Sequence, residues 1–323
     1  MHLNRRTVLS AAAAGAAFGL CRPLEIVPSA LAQIAASPAN PRGLAFHKFK
    51  VGSLEVTTVF DGAVVRDHNP GFIRNASLDD LKASLKKHGM PEDKLHVAYT
   101  ITVVKLGDKT VMFDSGNGVG NTPGAGNLVE NLKVAGIDAA KLSAVVVTHF
   151  HPDHIWGLMT KENAQVYANT EIIVPEAEYK YWSDPAVIAS LPEARQGIAK
   201  RVQATMPQWK NLKQIAAGKE AIAGIQAVAT PGHTPGHTSY LMGSGDAQLF
   251  VLGDVTTGLA VNVANPGWHV LFDQDAAMAE ATRRKTLDRV IADKIVATGY
   301  HWGMPGAGTL QKDGNGYALV PVA

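Results

Sequence analysis

Residues Thr148-His149-Phe150-His151-Pro152-Asp153-His154 place three histidines and one aspartate within six positions. The apolar run Ala144-Val145-Val146-Val147 precedes them and reads as a buried strand, so the cluster sits where a central strand opens into a loop. Side chains two apart in extended chain point the same way, so His149 and His151 can face one metal ion together. Pro152 cannot continue a strand ladder and favours a first helical turn, which sends Asp153 and His154 toward a second ion nearby. Imidazole and carboxylate suit Zn, Mn, Fe, Co or Ni, and two metals roughly 3.5–4 Å apart form a hydrolytic clamp. The alternative is a polar loop rich in histidine. Four ligand-type side chains at this spacing behind a core strand favour the metal.

Three further polar residues also sit just past an apolar strand: His233 after Val228-Ala229, Asp254 after Phe250-Val251-Leu252, and His301 after Ile295-Val296-Ala297. Strand ends of one core converge on one rim, so one ion is assigned His149, His151 and His233 and the other Asp153, His154 and His301. Asp254 bridges, since a carboxylate has two oxygens to share. Water between two divalent ions ionises near neutral pH, from ~15.7 in bulk to about 7 on zinc. The resulting hydroxide is the expected nucleophile, and no G-x-S-x-G elbow offers a serine instead. Asp153 and Asp254 are the expected catalytic residues, with Asp153 also shuttling a proton to the leaving group.

The elements that must position these residues follow from pattern. Strands are expected at Leu54–Phe60, ending in the turn pair Asp61-Gly62, and at Ala98–Val104 and Thr110–Phe113. Ser77 caps a helix reaching about Lys87. Asp114-Ser115-Gly116-Asn117-Gly118 fails as a dinucleotide loop because Asn121 holds the third glycine position; it reads as a close backbone approach beneath the metals. A helix over Gly126–Ala135 leads to the central strand, and Ile155–Met159 continues the metal loop as a short helix. Gln165–Ala168, Glu171–Val174, Gly224–Ala229, Gln248–Leu252 and Ile295–Thr298 read as strands. Helix is expected after Pro175, across Pro192–Thr205 and, longest, over Asp275–Ala292. The pattern is compatible with two sheets packed face to face, helices outside.

Arg5-Arg6 ahead of the modest apolar run Ser10–Leu20, with Ala30-Leu31-Ala32 as a cleavage site, matches a twin-arginine export signal. The expected organisation is a signal peptide over 1–32, a linker over 33–43 containing Pro38-Ala39-Asn40-Pro41, and one hydrolase domain over 44–323. The expected location is periplasmic or secreted. Losing residues 1–32 removes three arginines and one glutamate, so the formal charge falls from +2 to zero. A neutral chain gives no electrostatic case for nucleic acid or stable membrane association. Cys21, the single cysteine, leaves with the signal, so neither disulfides nor thiolate ligands are expected.

The run His149-Phe150-His151-Pro152-Asp153-His154 resembles the H-x-H-x-D-H signature of the metallo-β-lactamase superfamily, with the later His, Asp and His in the expected order. The resemblance implies an α/β (α+β) fold, the αββα sandwich of two mixed β-sheets flanked by helices, and two divalent metal ions, zinc first. Gly52–Thr57 with Asp61-Gly62, Gly232–Thr238, and Gly314–Tyr317 with Val320-Pro321-Val322 look most similar to the methyl parathion hydrolase group. The superfamily uses His233 rather than His237 as ligand, so His237, Asp114 and Asp61 are expected behind the ligands, Asp61 alternatively only capping its turn. Acyl-homoserine lactonases resemble the chain too, but place a tyrosine shortly after the bridging Asp, where this chain has Val255-Thr256-Thr257. The expected substrate is a small molecule with an apolar or aromatic group, an aryl ester or lactone ahead of an organophosphate triester. Among Phe150, Trp156, Trp182, Trp268, Phe272 and Trp302, core packing is the general alternative to a substrate wall; Trp182, Trp268 and Phe150 are taken as substrate-binding. A homodimer is compatible with the sequence, and the rival reading from another class is a non-catalytic periplasmic metal-binding module.

Overall fold

The computed structural model describes residues 36–323. The expected signal peptide and its cleavage site lie outside the described residues. Strands β1 (Phe46–Val51), β2 (Leu54–Arg66), β3 (Leu95–Leu106), β4 (Lys109–Phe113), β5 (Ala144–Val146), β6 (Glu171–Pro175) and β7 (Leu212–Ile215) form one sheet in chain order. Its first four strands are antiparallel; β4 to β7 run parallel. The second sheet holds β8 (Glu220–Ile222), β9 (Ile225–Ala229), β10 (Thr238–Ser244), β11 (Ala247–Val251), β12 (Val296–Thr298), β13 (Ala307–Asp313) and β14 (Gly316–Pro321), again in chain order. Only β11 and β12 pair in parallel there. The helices are α1 (Leu78–Lys87), α2 (Leu128–Val134), α3 (Pro152–Ile155), α4 (Glu176–Ser183), α5 (Ala186–Ser190), α6 (Glu193–Thr205) and α7 (Ala276–Ala292).

Alternating side chains point to opposite faces of a strand, and both faces here are covered. Val56, Val104, Val111 and Val146 meet Ile225, Ala227, Met242 and Leu249 between the sheets. The residues between them in sequence, such as Val103, Met112 and Val145, face outward onto Leu132 of α2 and onto Trp182 and Val202 of the α4–α6 group. On the far side Phe250 and Ala297 pack beneath Leu287 and Val290 of α7. The central strands therefore read as continuous apolar runs, and the sandwich is αββα. None of the helices among the described residues is long and apolar enough to cross a membrane.

Several local expectations change. Asp61-Gly62 is not a turn: β2 continues to Arg66 through a bulge between Phe60 and Gly62. The bulge turns the fully buried Asp61 carboxylate toward the backbone N–H groups of Asn117 and Leu128, both at 2.9 Å. A side chain at Gly62 would strike the Gly124 carbonyl, 2.2 Å from its Cβ position. Residues 165–168 form only an isolated bridge, Met159 to Gln165, rather than a strand. The stretch expected as a linker is partly built into the fold. Asn40 is buried and exchanges side-chain bonds with the backbone of Leu44, while Met304 N–H donates to Ala39 O at 3.1 Å. Strands β1, β7, β8, β10, β13 and β14 add to those expected.

Asp61→Asn would put an amide NH2 among donors that need an acceptor. Leaving buried donors unsatisfied costs about 1–3 kcal/mol, so urea unfolding should show a loss of that size. An unchanged midpoint would contradict the role given to Asp61.

Candidate metal centre

The C-terminal ends of β5, β9, β11 and β12 meet at one rim of the sandwich and deliver the seven residues singled out from sequence. Ligand-type atoms of His149, His151, His233 and Asp254 lie within 4.8 Å of one another, and so do those of Asp153, His154 and His301. Asp254 joins the groups. Its Oδ2 is 3.2 Å from His233 Nε2 and 3.1 Å from His301 Nε2, and its Oδ1 is 3.3 Å from His154 Nε2. Asp153 Oδ2 lies 3.4 Å from His154 Nε2 and 3.5 Å from His301 Nε2.

His149 Nε2, His154 Nε2 and Asp254 Oδ1 are buried without a hydrogen-bond partner. Buried polar atoms are normally satisfied. Three that converge, all lone-pair donors and none a thiolate, fit divalent first-row ions. The opposite edges of the rings are tied down. Nδ1 of His154 donates to Asp114 Oδ2, Nδ1 of His233 to Asp273 Oδ1, and Nδ1 of His301 to Ala98 O, each at 2.8 Å. These bonds turn Nε2 of each ring toward Asp254 and the cluster, the usual way a ring is oriented for a metal. His151 differs, since its Nδ1 faces His233 Nε2 at 2.8 Å.

A family model described as the metallo-beta-lactamase superfamily matches residues 97–292. The chain belongs to the metallo-beta-lactamase superfamily. A Bacillus sp. protein named N-acyl homoserine lactonase is 28% identical over 158 residues, covering 49% of this chain and 56% of that relative. A Bacillus cereus protein of the same name is 27% identical over the same span. The chain thus matches little more than half the length of these curated relatives. Among solved structures, AidC, a dizinc quorum-quenching lactonase in complex with an acyl-homoserine product, is 27% identical. It has a TM-score of 0.81, with 86% of this chain and 98% of that chain covered. The hydrolase AbOPH, at 23% identity with the same coverage and a TM-score of 0.79, shows the shared fold. None of these is named a methyl parathion hydrolase, so the superfamily stands and the narrower branch does not follow.

Around the superfamily signature, the supporting residues sort clearly. Asp114 holds a left-handed φ of +64° and accepts from His154 Nδ1, from Thr148 N–H at 2.7 Å and from the Thr148 hydroxyl. Such strain in a non-glycine residue persists where the surroundings fix it. His237 accepts the Asp254 N–H on Nε2 at 3.0 Å and bonds Thr230 Oγ1 through Nδ1. It holds the Asp254 backbone. Asp61 touches none of the seven; it holds the 115–118 loop and the start of α2 instead.

The substrate wall is corrected. Phe150 is fully buried, edge-on to Trp209 at 5.3 Å. Trp182 is 2% exposed, with its Nε1 donating to Glu178. Neither offers a face to a ligand. Trp268 is half-buried against the cluster of Phe72, Ile73 and Val270. The open side of the site runs along His151 to Asp153, both half-buried; the Asp153 side chain is 20% exposed against 0–7% for His149, His154, His233, Asp254 and His301.

Sequence reading missed several supports. Asp273 is fully buried, receives His233 Nδ1 and pairs with Arg283 Nη2 at 3.0 Å; Arg283 also bonds Val255 O and Pro266 O. Tyr300 stacks on His154, ring centres 3.9 Å apart, and its hydroxyl donates to Asp153 O at 2.5 Å. Tyr99 packs edge-on against His301 at 5.5 Å. These residues carry no local spacing signal. Only the adjacency of Tyr300 to His301 hints at one of them.

Burial, with neighbouring imidazoles, holds His149 and His151 well below the usual histidine range. Burial also opposes charge on His154 and His233, but surrounding carboxylates outweigh it. Asp254, Asp114 and Asp153 hold His154 well above its ordinary value, and Asp254 with Asp273 raises His233 to about 9. The carboxylates thus favour the protonated form of these two rings, and a ring must lose that proton to ligate an ion. Zinc uptake should release protons, and affinity should fall as pH drops. Calorimetry at pH 7 in buffers of different ionisation enthalpy measures the release; buffer-independent heats would contradict this electrostatic picture.

Proposed function

We propose that the chain is a dinuclear metal-dependent hydrolase that opens lactone esters, with His149, His151 and His233 holding one ion, Asp153, His154 and His301 the other, and Asp254 bridging. The carrying observation is the pair of ligand groups joined by Asp254, with three unpaired atoms converging between them. Two divalent ions there would lower the pKa of water and polarise an ester carbonyl. Zinc is the favoured metal, supported by the dizinc lactonase of like fold; manganese, iron, cobalt or nickel fit the same donors.

The chain's own residues have defined tasks. His237 and Gly253 set the bridging carboxylate, because a Cβ at Gly253 would lie 2.8 Å from His237 Nε2. Asp153, at the open side, takes a proton from the attacking water and passes it to the ring oxygen as the acyl C–O bond breaks, and the water's oxygen stays on the carbonyl carbon. The lactone class is supported by relatives and a like structure named for acyl-homoserine lactones, although Asp254 lacks a following tyrosine. Aryl esters and phosphotriesters call on the same chemistry and rank behind lactones. Export through Arg5-Arg6 belongs to this reading too, and the N-terminus of secreted protein tests it.

A panel of N-acyl homoserine lactones, aryl esters, phosphotriesters, thioesters and β-lactams decides the class. Lactones should be the best substrates, and chelation should abolish turnover. Asp254→Asn should lower kcat by more than about a hundredfold, beyond the range for groups that only orient ligands. Turnover restricted to thioesters or β-lactams, or an active Asp254→Asn, would contradict the proposal. Two bound metals with no turnover of any substrate would favour the non-catalytic metal-binding module.

A further inference from the structure

Glu178 is a fully buried carboxylate on α4, outside the seven-residue cluster. Its Oε1 accepts Phe150 N–H at 2.9 Å and Trp182 Nε1 at 2.7 Å; its Oε2 accepts the Thr234 hydroxyl at 2.8 Å and Gly236 N–H at 3.0 Å. Phe150 lies between His149 and His151, whereas Thr234 and Gly236 follow His233 by one and three residues. One side chain thus spans the two loops that must bring three histidines together. The second loop also presses onto α4, because a Cβ at Gly236 would lie 2.1 Å from Glu178 N.

We propose that Glu178 is a positioning residue, a clasp that sets His149, His151 and His233 for an ion before one arrives. An ionised carboxylate is an acceptor with about four lone-pair sites, and here four donors meet it. No neutral side chain of this length matches that pattern, since glutamine would turn an NH2 toward two of the donors. Beyond its strand end each loop leaves the sheet ladder, and Glu178 ties the backbone that carries its histidines. Trp182, buried beside the clasp, fixes Glu178 from its own helix at i+4. A group that merely fills the core would not need to distribute its bonds over both histidine loops.

The inference rests on reading the cluster as a metal site, so its test begins on the full-length chain freed of metal. Amide exchange is followed in peptides covering 148–154, 230–238 and, as a reference, the β13–β14 hairpin. Glu178→Gln should speed exchange in both loops about tenfold or more while the hairpin is unchanged. Release of zinc from the reloaded variant to a competing chelator should quicken about ten- to a hundredfold. Glu176→Gln, two residues earlier on the same helix and exposed, should match wild type. Unchanged exchange and zinc release in Glu178→Gln would overturn the proposal, as would loosening that includes the hairpin equally. If Glu178→Gln does not fold, Thr234→Val removes one donor alone. It should still loosen 230–238 and hasten zinc release, and wild-type behaviour in both overturns the clasp. A wild-type chain that takes up no zinc would instead sink the metal reading, while the exchange comparison still decides whether Glu178 joins the loops.

Discussion

Asp254 is a carboxylate with a 4% exposed side chain, set within 4.0 Å of the Nε2 atoms of His149, His154, His233 and His301. A buried charge is costly unless partnered, and this one leaves an oxygen unbonded. Nearly every other feature of the rim keeps that arrangement from collapsing. His237 grips its backbone, Gly253 turns the chain in a left-handed conformation without a side chain to clash, and the outer edges of the imidazoles are anchored to Asp114, Asp273 and a main-chain carbonyl. The sandwich supplies rigidity. Its covered strands end together at one rim.

The rings do not all sit in the same electrostatic surroundings. Burial holds His149 and His151 below the usual histidine range, whereas carboxylates hold His154, His233 and His301 above it. Asp254, Asp114 and Asp153 crowd the His154 ring, so a cation bound there would meet acidic charge already gathered at the rim.

The parts of this design that are legible in the sequence are those encoded locally. A histidine after an apolar run marks a strand end whatever the surrounding fold, and Asp114 and His237 sit beside motifs of the same kind. Asp273 and Glu178 are silent because their meaning lies in partners 40 and 56 residues away. Aromatic residues were misread for a related reason: whether Trp182 lines a cavity or the core depends on α4 packing and on Glu178 receiving its N–H. Strands β13 and β14 escaped notice because they pair at a sheet edge with exposed, mixed side chains. The Asp61-Gly62 pair looks like a turn, yet a glycine that admits a turn also admits a bulge.

The central claim is that seven side chains on one rim hold two cations about one shared carboxylate. Anomalous diffraction from zinc-loaded crystals of the full chain tests it directly. The account predicts two zinc peaks roughly 3.5–4 Å apart, one among His149, His151 and His233, the other among Asp153, His154 and His301, both touching Asp254. A single peak, or zinc bound without His233, Asp254 or His301, would contradict it.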